Sequence, residues 1–132
     1  MVKAAKLVVT RGGKVLLVKR RRDGLWMFPG GRRRLKAGES AKRCLRREIM
    51  EELPRLKLGP FKRWSTLKGR NQHSGRHMSD AIFLTEKVVG SLTIGDEKEL
   101  SKAEWRKPWG VRLTPTSRQI RDDLVAAGYL KR

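Results

Sequence analysis

Three carboxylates, Glu48, Glu51 and Glu52, stand within five residues of one another in a chain that otherwise carries 33 Lys and Arg. Residues 40–53 read as a helix, with Ser40 as N-cap and Pro54 disfavouring its continuation. On a helical wheel of about 100° per residue, Ala41, Cys44 and Leu45 form one stripe. Glu48 and Glu52 continue that stripe, Glu51 sits at its edge, and Lys42, Arg43, Arg46 and Arg47 lie on the other sides. Carboxylates therefore occupy the face that should pack against protein. Like charges at i,i+3 and i,i+4 repel, and a helix C-terminus disfavours anions. Burying such groups unpaired costs roughly several kcal/mol each. Two counter-charges are available: arginine, or a hard divalent cation such as Mg²⁺ or Mn²⁺, which prefers carboxylate oxygen. Helical spacing alone leaves both open.

The elements that must position these acids can be read on either side. Residues 6–10 are apolar and β-branched and predict a strand, followed by a hairpin turn at Gly12-Gly13. Val15 to Val18 is an unbroken apolar run, as expected of a strand buried on both faces. A polar loop over residues 20–24 leads to Leu25-Trp26-Met27-Phe28, stopped by Pro29-Gly30-Gly31. Beyond the helix, residues 61–67 and 79–89 predict strands, with a polar loop at 68–78, a further strand at 91–94 and another at 99–105. Thr114-Pro115 caps a last helix that ends at Gly128. The expectation is one α+β domain over residues 1–132, an α/β/α sandwich with a mixed sheet.

The residues around the acids decide between the counter-charges. Trp26-Met27-Phe28-Pro29-Gly30-Gly31, then Gly38-Glu39-Ser40, then Arg47-Glu48-Ile49-Met50-Glu51-Glu52 resemble the box of the Nudix hydrolase (MutT-like) family. That box is a glycine, a glutamate at fixed distance, then Arg-Glu-aliphatic-x-Glu-Glu-x-Gly-aliphatic, a specific signal because several polar positions must coincide. The resemblance implies a metal-dependent hydrolase that cleaves a phosphoanhydride bond in a nucleoside diphosphate derivative. It implies Glu52 as the main metal ligand, with Glu48 and Glu51 close behind and the Gly30 carbonyl facing the same Mg²⁺ or Mn²⁺. It gives Arg47 the task of orienting a glutamate, and Glu39 that of fixing the loop or binding a further metal. Glu99, six residues before Trp105, falls where family members carry a ligand or general base. Its plainer reading is an exposed charge.

The chain departs from the box in three places. Seven residues separate Gly31 from Glu39 where the box has five, so the loop carrying Arg32-Arg33-Arg34 is longer and strongly basic. Lys36 stands where a glutamate is common. Leu53-Pro54-Arg55 replaces x-Gly-aliphatic, removing the glycine that closes the helix.

The net charge of +20 would attract polyanions, so a basic surface could also contact RNA. Two alternatives follow: a pyrophosphohydrolase acting on RNA 5′ ends, and an inactive basic nucleic-acid-binding module on the same fold. The intact run from Arg47 to Glu52 argues against the module, which has no need of inward glutamates. A single cysteine, Cys44, allows no internal disulfide and suits a reducing cytoplasm. No signal-peptide pattern or membrane-length apolar run is seen. His73 and His77 read as members of a solvated loop, and Trp26, Phe28 and Phe83 as core. Substrate identity and oligomeric state are not legible.

Overall fold

The computed structural model describes residues 2–70 and 75–132. Its elements run β1 (Val2–Arg11), β2 (Lys14–Arg20), β3 (Trp26–Met27), β4 (Gly30–Arg32), a 3₁₀ turn (Leu35–Ala37) and α1 (Ala41–Glu52). They continue with β5 (Leu56–Leu58), β6 (Lys62–Arg70), β7 (His77–Thr85), β8 (Val88–Gly90), β9 (Leu100–Arg106) and α2 (Pro115–Ala126).

β1 is the organising strand because it is apolar on both faces. Ala5, Leu7 and Val9 point into one core with Ala41, Cys44, Leu45 and Ile49 of α1. Val8 points the other way, into a second core with Ile120 and Leu124 of α2. The run Val15 to Val18 divides in the same manner: Leu16 and Val18 face α1, Val15 and Leu17 face α2. All four are fully buried. Alternation along a strand with both sides covered yields a helix layer on each face, the α/β/α sandwich expected. Each buried Leu, Ile, Val or Phe adds about 1.5–3 kcal/mol.

The sheet is mixed. β1 pairs parallel with β7 from Val2↔Met78 to Val9↔Thr85, and β7 pairs antiparallel with β6. With β7 on one edge, the other edge of β1 is shared. Its end meets β2 at Thr10↔Val15, while Ala4 to Lys6 pair with β4 at Arg32 to Gly30. β2 turns away to pair with β9 and β3. The edge is therefore split, and Gly30 sits at the split.

Two expectations need correction. The polar loop over residues 68–78 is much shorter, because β6 and β7 continue to pair through Lys68↔Ser79, Gly69↔Met78 and Arg70↔His77. Backbone pairing overrides polar composition there; His73 lies outside the described residues. Residues 91–94 form no strand. The Ser91 and Thr93 hydroxyls bond each other at 2.8 Å, and the segment crosses the end of α1 instead.

Candidate active site

α1 begins as its sequence demands. Ser40 is extended, and its side chain accepts from the Arg43 N–H. Its end is closed from a distance. The Gly95 N–H donates to the Glu52 carbonyl at 2.9 Å, and Leu53 N–H donates to the Ile49 carbonyl. A Cβ at position 95 would lie 2.5 Å from the Glu51 carbonyl oxygen, so only glycine fits. Gly95 thus satisfies the helix end that the missing box glycine would have closed.

Two further glycines let β4 approach the acids. Gly30 has φ +142°, and a Cβ there would meet the Ala5 carbonyl oxygen at 2.0 Å. Its N–H donates to Glu52 Oε2 at 3.3 Å. A Cβ on Gly31 would sit 2.4 Å from the Glu48 carboxyl carbon. The Pro-Gly-Gly lead-in is therefore the bare surface against which Glu48 and Glu52 lie.

Arg47 is the hub beside them. Its guanidinium grips Glu39 through two bonds of 2.7 and 2.9 Å, donates to Glu48 Oε1 at 2.8 Å and to the Arg32 carbonyl at 3.1 Å, and reaches Glu51 at 3.5 Å. Glu39 also accepts from the Arg34 N–H at 3.0 Å. Bonding to the Arg47 guanidinium, then to that N–H, holds the Glu39 carboxyl down to about 2. The bonds of Arg47 to Glu39 and Glu48 in turn push its pKa up. Glu39 thus pins the long basic loop to α1 through Arg47, and its carboxylate is absorbed in doing so. Arg47 thus contacts three glutamates at once, Glu39, Glu48 and Glu51.

Glu48, Glu51 and Glu52 line one cavity of about 280 Å³, together with Gly30, Asp96 and Glu99. The two outlying acids arrive by backbone ties: Gly95 is fastened to α1, and the Glu99 carbonyl accepts from the Arg21 N–H at 2.8 Å. Glu99 stands just ahead of β9 and is exposed. Glu52 is only 5% exposed. Burial raises its carboxyl pKa to about 8; the Lys6 ammonium opposes this, and Glu48 and Asp96 add to it.

This geometry bears on whether a cation fits. Among the described residues, no three His, Cys, Asp or Glu side chains are already gathered into a coordination cage. Glu48 and Glu51 are instead turned toward Arg47. The donor set nevertheless suits a hard cation: carboxylate oxygens converge on one cavity, and one of them is buried beside a weakly donating backbone N–H.

Sequence reasoning missed Asp96 and Lys6. Asp96 lies between two expected strands, 44 residues beyond Glu52. Lys6 sits in a strand whose neighbours are apolar. Cys44 is buried, donates to the Gly31 carbonyl at 3.4 Å and has its thiol pushed up to about 11, mainly by burial. It is a packing residue. Trp26, Phe28 and Phe83 are core, as expected. Among the described residues, no helix is long and apolar enough to cross a membrane.

An acidic cleft on a helix of an α/β/α sandwich defines the class, and comparison supplies the family. A family model of the NUDIX domain matches residues 2–127, and the chain belongs to that family. It is a Nudix-type hydrolase acting on phosphoanhydrides. No curated relative matches it in sequence. Among solved structures, the MutT NUDIX hydrolase of Burkholderia pseudomallei is 23% identical, with 92% of this chain and 95% of that one covered and a TM-score of 0.79. The E. coli ORF135 protein is 24% identical, with 97% and 93% covered and a TM-score of 0.70. The NUDIX domain of Shewanella oneidensis NrtR, complexed with ADP ribose, is 18% identical, with 96% and 86% covered and a TM-score of 0.74. At these identities the likeness is one of fold.

Proposed function

We propose that this chain hydrolyses a phosphoanhydride bond in a nucleoside diphosphate derivative with the help of Mg²⁺ or Mn²⁺. The observation that carries this reading is the buried Glu52 carboxyl, raised to about 8 in a cavity it shares with four other acids. An arginine counter-charge would explain Glu48 and Glu39, which Arg47 engages, but not Glu52, whose burial is offset by the charge of Lys6 and the Gly30 N–H and by no arginine among the described residues. Glu52, Glu48 and Glu51 would hold the cation, with the Gly30 backbone beside them. When bound, the cation supplies neutralisation of phosphate oxygens and acidification of a water. Arg47 would be a positioning residue, holding Glu48 and, at longer reach, Glu51 beside the cleft until a cation draws them in. Glu99, which lines the same cavity, would take the proton from the attacking water. Glu39 fixes the loop; a further cation there would have to displace Arg47. The ADP ribose in the Shewanella oneidensis complex, a nucleoside diphosphate bearing a sugar, supports the substrate class.

The test is a panel of nucleotide sugars, dinucleoside polyphosphates, oxidised nucleoside triphosphates and capped or triphosphorylated RNA, with Mg²⁺, Mn²⁺ or chelator. Metal-dependent turnover of at least one member, abolished in Glu52→Gln, is expected. No turnover across the panel refutes the reading.

A second reading, hydrolysis at RNA 5′ ends, is favoured by Arg20 at the rim of the cleft and by the arginine run in the loop above it. RNA with a 5′-triphosphate should then bind with an affinity that falls steeply with salt, by about 0.7 log units per log unit of salt for each phosphate neutralised. Salt-independent binding would contradict it.

A further inference from the structure

On the opposite side of the sheet from α1, β7 carries a carboxylate that the acidic cleft does not use. Asp80 is only 3% exposed. Its Oδ1 is buried without a hydrogen-bond partner, the sole such side-chain atom among the described residues. The register sets Asp80 between Ala4 of β1 and Leu67 of β6. Ile82, two residues on and so on the same face, packs in the α2 core, which orients Asp80 toward that helix. The small Ala4 side chain leaves space beside it.

That space is a cavity of about 410 Å³. Asp80 lies in its wall with Leu67, Lys68 and Met78 of the sheet, and Pro115, Thr116 and Gln119 of the first turns of α2 stand across from them, Pro115 and Gln119 reaching the surface. The volume falls in the range of small-molecule sites. Apolar walls at Leu67, Met78 and Pro115 with one buried, unpartnered acceptor complement a flat ring whose faces are apolar and whose edge carries an N–H donor. A single strand separates the cavity wall from the acidic cleft: Ala4 to Lys6 of β1 pair with Arg32 to Gly30 on one edge and with Asp80 to Ile82 on the other. The Lys6 ammonium acts on both Glu52 and Asp80, lowering each carboxyl against the upward push of burial. One nucleotide could therefore place its phosphates at Glu52 and its base against Asp80.

We infer that Asp80 is a specificity-determining residue that selects a nucleobase bearing an exocyclic amino group. This rests on the reading that the substrate is a nucleotide. Adenine, cytosine and guanine offer an amino donor to the unpartnered carboxyl oxygen. Uracil and thymine flank their single N–H with carbonyl oxygens, which a carboxylate repels. A site built to satisfy a donor discriminates strongly against an analogue that lacks it, because the buried acceptor is then left unpaired.

The test compares kcat/KM for CTP, ATP and GTP with that for UTP, in the wild type and in Asp80→Asn. Asparagine keeps the size and adds a donor suited to a uracil carbonyl. In parallel, binding of CMP, AMP, GMP and UMP to the whole protein is measured by calorimetry in chelator. At least one amino-bearing nucleotide should exceed UTP by about 10-fold or more, through KM rather than kcat. In Asp80→Asn that ratio should collapse or invert, and monophosphate binding should follow the same ranking. Equal handling of UTP, or a ratio that Asp80→Asn leaves unchanged, overturns the inference while leaving the hydrolase reading intact. If none of the four triphosphates is turned over, the monophosphate ranking alone decides Asp80, and the hydrolase reading is decided separately by the wider substrate panel. Circular dichroism confirms that the variant is folded; Asp80→Leu, which fills the site with an apolar side chain, should bind no monophosphate selectively.

Discussion

Glu52→Gln should stabilise the metal-free protein in alkaline solution while destroying its activity. The Glu52 carboxyl moves from an ordinary value of 4.5 to about 8 on folding. Below pH 4.5 it is protonated whether the chain is folded or not, and contributes no difference. Between 4.5 and 8 the unfolded chain ionises while the folded one holds its proton, so stability falls as pH rises. Above 8 both are ionised, and the folded state bears the full cost of a buried charge. A rise of that size, at about 1.4 kcal/mol per unit, sets a ceiling of about 5 kcal/mol. The assay is urea denaturation in chelator from pH 5 to 9. The wild type should lose several kcal/mol relative to Glu52→Gln across that window, the two curves converging near pH 5. Adding Mg²⁺ at pH 8 should recover stability in the wild type, following the logarithm of its concentration, and not in the variant. Parallel curves in chelator would refute the argument, since Glu52 would then ionise freely in the fold.

Arg47→Lys keeps the charge but cannot hold Glu39 through two bonds while also reaching Glu48. We expect kcat to fall by about 10–100-fold with KM little changed, and unfolding free energy to drop by about 1–3 kcal/mol. Gly31→Ala places a methyl against the Glu48 carboxyl carbon and should reduce metal-dependent turnover at least about 10-fold while circular dichroism remains native. A turnover matching the wild type would show that Glu48 is free to move aside.

The sequence and the fold agree where the determinants are local. The cap at Ser40, the stop at Pro54, the hairpin at Gly12-Gly13 and the Thr114-Pro115 start of α2 each depend on a few neighbouring side chains, and each is found. The acidic stripe of α1 was visible because helical period and burial are coupled. Asp96 and Asp80 were not visible. Each gains its meaning from segments far away in the chain: Asp96 from the docking of Gly95 on α1, Asp80 from the parallel register of β1 and β7. The 68–78 loop was overdrawn for a similar reason, since polar residues on paired strands look like loop until the partner strand is known. The two oxygens of Glu39 are taken up by Arg47 and the Arg34 N–H, a fact only the three-dimensional packing supplies.

The closure of α1 by Gly95 makes the acidic helix a shared possession of two distant stretches of chain. Residues 41–52 cannot complete their last turn until residue 95 arrives, and the stretch that brings it also delivers Asp96 and Glu99 to the cleft. Assembly of the acidic site is thereby made all-or-none: a chain that has not docked this segment lacks both the finished helix end and two of its carboxylates. Amide exchange at Gly95 should therefore report the opening of the whole centre, and the acidic stripe excised as a peptide would keep its sequence but lose its site.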